Sequence, residues 1–328
     1  MRGLLAAGAR EPPRRPRPRG TIRAGAHPPM IDLAIIVVAY QSAADLPKLL
    51  ATLPAAAGGL TWQAIVVDNS SDPGLAAACG SPDNVCFVDA GSNLGYSGGL
   101  NVGVRNAPDS HFTVFLNPDL SLGANALLRL VEGCSKRGAA ASVPLVLDDS
   151  GKPQPSLRRE PTTLRSLGEA LFGDHWPTRP PWLAEMVRLP ADYASARPVE
   201  WATGAALLVR TSVVEAIGPW DSERFFLYSE ETDYARRIRA RGYTIEFAPT
   251  AIVHHRGAGS GSGPALDALL AVNKVRYFQK WHGQPSSLLF FGVAVIHNAL
   301  RLRRPESRAT LRALFSAPAR AALPGGIV

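Results

Sequence analysis

Residues 33–119 alternate between short apolar runs and helix-like stretches, and this succession constrains the fold more than any other feature. Leu33–Ala39, Gln63–Val67, Val85–Val88 and Phe112–Leu116 are apolar, largely β-branched runs, the pattern of strands buried on both faces. Ala43–Leu53, Ser97–Asn106 and Ala124–Arg137 read as helices. This order predicts an α/β fold, with a mostly parallel sheet flanked by helices. Ligands of such sheets bind beyond the carboxyl ends of the strands. The polar groups sit there: Tyr40-Gln41, Asp68-Asn69 and Asn117-Pro118-Asp119.

The 328 residues, 46% of them hydrophobic, suffice for a sizeable core. The net charge of +8 invites a nucleic-acid partner, but its distribution opposes one. Residues 1–29 hold seven Arg and one Glu, residues 297–328 hold six Arg and one Glu, and the stretch between is net −3. Basic arms suit a membrane surface at least as well, and no nucleic acid is expected. Cys79, Cys86 and Cys134 are odd in number and form no CxxC pair. That pattern argues against a disulfide framework or zinc site and favours a reducing cytoplasm.

Segment 1–29 is rich in Arg, Pro, Ala and Gly and lacks the apolar region of a secretory signal. It is expected as a disordered extension, with Met30 an alternative start directly before the first strand. The main domain is expected over 30–283, with a Pro-, Arg- and Trp-rich excursion at 147–198 and a short helix near Leu164–Phe172. Regular structure resumes with Val199–Arg210, helices at 212–217 and Glu230–Arg241, a strand at Thr244–Ala248 and a helix over Leu266–Trp281. Gly257–Gly263 reads as a flexible run. Residues 284–328 form an amphipathic, basic C-terminal extension whose apolar run, Leu288–Ile296, is too short to span a bilayer.

Several constellations carry chemistry. Asp68 suits either a nucleoside contact or a turn. Asn93–Asn101 places glycines before a helix, where backbone N–H groups approach an anion such as diphosphate; an αL turn explains it equally. Within it, Gly95-Tyr-Ser97-Gly-Gly99 matches a nucleophile elbow, but Gly91-Ser92-Asn93 separates it from the strand that an elbow needs. Asn117-Pro118-Asp119 offers an amide and a carboxylate to Mg²⁺ or Mn²⁺, or forms a simple turn. His254 and His255 point in opposite directions if on a strand, so at most one enters the site. Glu230-Glu231-Thr-Asp233 opens a helix; acidic residues there answer the helix dipole, and clustered carboxylates also make a raised-pKa base. Trp201-Ala-Thr203-Gly204-Ala205 puts an aromatic ring where a sugar can stack.

Taken together and in this order, these pieces resemble the family-2 glycosyltransferases with a GT-A fold, in their bacterial rhamnosyltransferase-like branch. The matching stretches include Val66-Val-Asp-Asn-Ser70, Phe115-Leu-Asn-Pro-Asp119, Phe225-Phe-Leu-Tyr-Ser-Glu-Glu-Thr-Asp233, Val253-His-His-Arg-Gly257 and Asn273-Lys-Val-Arg276. The resemblance covers residues 31–283. It implies a Rossmann-like GT-A domain and an inverting sugar transfer from a nucleotide diphosphate. The best guess is L-rhamnose from dTDP-rhamnose, passed to a cell-surface glycan or lipid-linked acceptor. It assigns nucleotide-sugar binding to Tyr40, Asp68, Asn93, Gly95, Gly99 and Asn117. Acceptor binding falls to Trp201, Thr203, Gly204 and Asp233. Asp119 and His254 become ligands of a divalent metal, Mg²⁺ or Mn²⁺. Glu231 is the expected base, with Glu230 in reserve. The alternatives are an α/β-hydrolase built on Ser97 and an inactive nucleotide-binding scaffold. A cytoplasmic enzyme touching the inner membrane face through 288–312 is expected.

Overall fold

The structure is a computed structural model that describes residues 30–256 and 263–326. The extension 1–29 and the run 257–262 lie outside the described residues. The strands are β1 (Ile31–Ala39), β2 (Trp62–Asp68), β3 (Val85–Asp89), β4 (Ser110–Leu116), β5 (Leu120–Leu122), β6 (Ala141–Leu147), β7 (Leu157–Arg158), β8 (Arg197–Val199), β9 (Trp201–Ala202), β10 (Ala206–Arg210) and β11 (Ile245–His255). The helices are α1 (Leu46–Ala57), α2 (Leu75–Ala78), α3 (Gly95–Arg105), α4 (Ala126–Lys136), α5 (Thr163–Phe172), α6 (Thr211–Ile217), α7 (Glu230–Ala240), α8 (Pro264–Trp281), α9 (Gln284–Ala299), α10 (Pro305–Phe315) and α11 (Ala317–Ala321).

The main sheet runs β3-β2-β1-β4-β10-β6-β11-β5, with β8 also paired to β11. Its first half is parallel, as expected: β1 pairs with β2 and β4, and β2 with β3. The second half corrects the expectation of a mostly parallel sheet. β10 lies antiparallel between β4 and β6, and β11 is parallel to β6 but antiparallel to β5 and β8. The excursion returns the chain at the carboxyl end of β4, where Asn117 N–H donates to Ala205 O at 2.9 Å. β10 therefore enters the sheet from that end and runs the opposite way.

Leu33–Ala39 is buried throughout, which the unbroken apolar run requires. One face of the sheet packs on α1 and α4 and the other on α3, α6 and α7. Glycines bring α3 close: a Cβ at Gly99 would meet Val38 at 2.6 Å, and one at Gly103 would meet Ile36 at 2.2 Å. Gly99 is thus a packing residue of the helix–sheet interface rather than a wall of the nucleotide-sugar site. The excursion is ordered. Thr162 caps α5 by accepting from Arg165 N–H, and Glu160 accepts from Arg236, Arg239 and Tyr277, tying the loop to α7 and α8. The C-terminal extension is helical and packed. Phe278 of α8 stacks on Phe290 of α9 at 4.1 Å, in a cluster that reaches Leu314 of α10. The cysteines are all free.

Candidate active site

A cavity of about 590 Å³ opens beyond the carboxyl ends of β1, β2 and β4. Tyr40, Asn69, Asn93, Gly95, Asn117 and Asp119 line it. A second cavity of about 480 Å³ contains Arg158, Trp201, Thr203, Tyr228 and Glu231. Tyr228 lines both, so the two share a wall. The sheet therefore gathers most of the expected residues at one edge, as the strand-end rule requires.

Asp119 follows β4 through the Asn117-Pro118 turn. His255 Nε2 lies 3.2 Å from its Oδ2. Burial opposes ionisation of Asp119, but the His255 imidazole, with Arg256 beyond, holds the carboxyl below its usual range. The buried Oδ2 still has no aligned hydrogen-bond donor, an acceptor without a partner facing the cavity. The histidine assignment is corrected here. His255 lines the cavity and meets Asp119, while His254 pairs across to Ser121 on β5. A β-bulge between Ala248 and Ile252 resets the pleat, and alternation sends the two rings to opposite faces.

Asp68 is buried at the end of β2. Its oxygens accept from Ser70 N–H at 2.8 Å and Asp72 N–H at 2.6 Å. This is the turn role, and it is Asn69, not Asp68, that lines the cavity. Asn69 Nδ2 donates to Gly95 O at 2.8 Å, while its buried Oδ1 has no hydrogen-bond partner. Asn93 Oδ1 accepts from Gly95 N–H at 3.0 Å, and Phe226 O accepts from Tyr96 N–H at 2.8 Å. The first amides of α3 are thus spent inside the protein, which narrows the expected anion cradle. Gly95 has φ +71°, and a Cβ there would meet Phe226 O at 2.2 Å, so only glycine fits.

Glu230 and Glu231 open α7. Glu230 is 4% exposed. Burial and the neighbouring Glu231 raise its pKa well above the usual value. Burial also raises Glu231, against backbone hydrogen bonds and the charge of Arg158. Glu231 lines the second cavity and approaches the Thr203-Gly204 loop: a Cβ on Gly204 would lie 3.8 Å from its Cδ. Trp201 is buried, with Nε1 donating to Arg159 O at 2.9 Å. Asp233, expected to contact the acceptor, lines neither cavity. It is 1% exposed and held by Arg237 (3.0 Å), Trp281 Nε1 (2.9 Å) and Lys280 (2.7 Å), a position i+3 from Glu230 that points into the α8 contact. The hydrolase reading fails too. Ser97 lies within α3, fully buried, and its Oγ has no hydrogen-bond partner among the described residues.

Six residues to which the sequence assigned no role also shape the site. Tyr96 lies where its phenol is raised by burial and then by Glu230, Glu231 and Asp119, so it stands among all three carboxylates. Tyr228 and Ser229, with φ 69° and 70°, turn the chain into α7. Asn273 of α8 pins this turn by donating to Leu227 O at 2.8 Å. Pro324 reaches the first cavity from the far end of the chain, and Gly325 packs on the Phe226 ring.

Residues 34–187 match the profile of the family described as Glycosyl transferase family 2. An N-acetylglucosaminyl-diphospho-decaprenol L-rhamnosyltransferase of Mycobacterium tuberculosis is 29% identical over 300 residues, 86% of this chain and 96% of that protein. A low-salt glycan biosynthesis hexosyltransferase of Haloferax volcanii is 31% identical over 218 residues, 65% of this chain and 64% of its own length. Among solved structures, the mannosyltransferase PcManGT of Pyrobaculum calidifontis, in complex with GDP-Man and Mn²⁺, aligns with TM-score 0.53 and 18% identity over 89% of this chain and 78% of that one. GalNAc-T7 with UDP, GalNAc and Mn²⁺ aligns with TM-score 0.54 and 15% identity over 82% of this chain, which spans 55% of that structure.

Proposed function

We propose that the chain is a family-2 glycosyltransferase with the GT-A fold, and that it carries out an inverting transfer of L-rhamnose from dTDP-rhamnose to a lipid-linked glycan precursor. The observation that carries this reading is the pair of adjoining cavities, with Asp119 in one and Glu231 in the other. The rhamnose and the lipid-linked acceptor take their support from the mycobacterial relative.

In this reading the nucleotide sugar occupies the first cavity. Tyr40, Asn69, Asn93 and Asn117 bind and orient it, and Gly95 lets the chain pass close to Phe226 at its edge. The acceptor sugar lies in the second cavity against Trp201 and Thr203. Glu231 takes the proton from the attacking hydroxyl. The oxygen attacks the anomeric carbon as its bond to the diphosphate breaks, through an oxocarbenium-like transition state, with inversion. Burial makes Glu231 a stronger base than an exposed carboxylate, and Arg158 keeps it able to ionise.

The Oδ2 of Asp119, close to His255 but without an aligned hydrogen bond, the imidazole of His255 and the amide of Asn117 form a sparse donor set that fits Mg²⁺ or Mn²⁺ only with substrate phosphates completing it. When bound there, such an ion neutralises charge on the departing diphosphate. No group of three or more His, Cys, Asp or Glu side chains that could hold a metal ion occurs among the described residues.

No helix among the described residues is long and apolar enough to cross a membrane. Exposed Leu288, Leu289, Leu300 and Leu302 are followed by exposed Arg303, Arg308 and Arg312, which supports a peripheral seat on an anionic cytoplasmic leaflet.

Thermal-shift screening of dTDP-, UDP- and GDP-sugars with Mg²⁺ or Mn²⁺ tests the donor, because a ligand of the native state raises apparent stability. The expected result is a metal-dependent shift, largest with dTDP-rhamnose and lost in Asp119→Ala. A shift with another sugar moves the donor assignment. An undiminished shift in Asp119→Ala removes that residue from the metal site.

A further inference from the structure

A third cavity, of about 620 Å³, lies between α5, α8, α9 and the start of α10. It is not isolated. Glu169, Leu270 and Lys274 line both it and the cavity of Glu231. Leu270 and Lys274 stand one turn apart on α8 and so share the face along which the two cavities join.

Its walls divide by chemistry. Leu270, Phe290, Val293 and Ala294 form an apolar side. Lys274, Arg301 and Arg304 give the same lining a cationic side. Arg301 donates to two backbone carbonyls, His297 O at 2.9 Å and Ala170 O at 2.8 Å. Neither Arg301 nor Arg304 has a carboxylate within ion-pair distance among the described residues. Of the nearby acids, Glu169 is held by Arg179 and Arg188, and Glu185 is bound by Lys274 at 2.7 Å. Asp267 and Glu306 sit in the first turns of α8 and α10, where the helix dipoles favour them. His297 senses all three cations. Burial, then Arg301, Lys274 and Arg304, push its pKa down to about 4, so it stands uncharged as a hydrogen-bonding group. A chamber that unites unanswered guanidinium groups with an apolar wall, and opens onto the acceptor pocket, is complementary to a diphosphate carrying a hydrocarbon chain.

We propose that this third cavity binds the diphosphate and first hydrocarbon units of a polyprenyl-diphosphate-linked acceptor. Lys274, Arg301 and Arg304 grip the diphosphate, and the Leu270–Phe290 wall takes the chain. The proposal rests on the glycosyltransferase reading and adds the means by which the acceptor's carrier, rather than its sugar, is selected. Lys274 stands at the junction, so it meets the phosphate nearest the sugar while Glu231 faces the hydroxyl.

The test separates carrier recognition from transfer. Farnesyl diphosphate and inorganic pyrophosphate are titrated calorimetrically in EDTA, with no nucleotide sugar present. The expected result is binding of both, tighter for farnesyl diphosphate, retained in Asp119→Ala and weakened at least tenfold in Arg304→Glu/Lys274→Gln, the loss expected of charge-assisted contacts. Binding that disappears with Asp119→Ala, or survives unchanged in the double variant, overturns the proposal and places the anion in the donor cavity. A kinetic arm uses Arg304→Glu alone, since Arg304 is exposed and its replacement leaves the core intact. KM for a lipid-diphosphate acceptor is expected to rise roughly tenfold while transfer to an alkyl glycoside of the same sugar is unchanged. Equal effects on both acceptors, or no preference by the wild type for the diphosphate acceptor, would end the carrier assignment and leave the glycosyltransferase reading standing. Failure of the wild type to transfer to either acceptor would instead count against the acceptor reading itself.

Discussion

Glu231 and Glu230 are chemically alike and one residue apart, yet their surroundings divide their roles. Glu231 faces a cavity and has Arg158 nearby; Glu230 is enclosed, and the charge that acts on it is that of Glu231. Glu231→Gln is expected to slow transfer about 10²–10⁴-fold with donor binding intact, the usual loss for a general base. Its raised pKa adds a pH signature: the acid limb of kcat lies above the usual carboxylate range and vanishes in the variant. For Glu230 the readout is stability. Its folded pKa is raised, so the unfolded chain ionises first as pH increases. The stability lent by neutral Glu230 is complete below the unfolded pKa and is lost as pH rises toward the folded one. Glu230→Gln cannot ionise, so its Tm should gain on the wild type as pH climbs from 4 to 8, in thermal melts at matched ionic strength. A constant difference across that range would show that Glu230 does not titrate with folding.

At the scale of elements, the turn into α7 sets where both carboxylates stand. Tyr228 and Ser229 are left-handed in succession, a conformation that costs non-glycine residues roughly 1–2 kcal/mol each. Ser229→Gly should stabilise the fold by about 1 kcal/mol in urea melts, and Ser229→Val should destabilise it. The α8–α9 contact is a different kind of support, made by apolar packing. Phe290→Ala should cost about 3–5 kcal/mol, measured by chemical denaturation. These elements also mark how far the sequence could be read. Strands β1 to β4 were legible because burial on both faces leaves unbroken apolar runs. β11 was not legible in full, because Pro249 breaks its pattern and the chain continues through a bulge that periodicity does not register. The same bulge decides which histidine meets Asp119. Asp233 misled for a related reason: i, i+3 spacing gives a shared helix face, but not whether that face meets a cavity or α8. The helices after residue 283 were read as a surface extension because their hydrophobic sides are narrow and their partners lie on α8 and α5.

At the scale of the whole molecule, exposed leucines at 288, 289, 300 and 302 lie close in sequence to exposed arginines at 303, 308 and 312. Full-length protein should float with anionic liposomes and less so at high salt, at about 1 kcal/mol per basic residue near the surface. Replacing Arg303, Arg308 and Arg312 with Gln should abolish flotation without lowering Tm, since all three are exposed. Retained flotation would assign the arginines to solvent. The position of β10 has a consequence of another order, in the sequence of events during synthesis. The strands on either side of it, β4 and β6, emerge from the ribosome earlier, and the strand that joins them comes only at residues 206–210. A nascent chain that ends between Leu147 and Ala206 leaves β4 with an open hydrogen-bonding edge and β6 with neither of its partners, since β10 and β11 are both still to come. Joining β6 to the parallel half of the sheet therefore awaits a contact between residues some 90 apart along the chain, from Leu116 to Ala206, and a fragment limited to the family-matching region 34–187 should aggregate rather than fold.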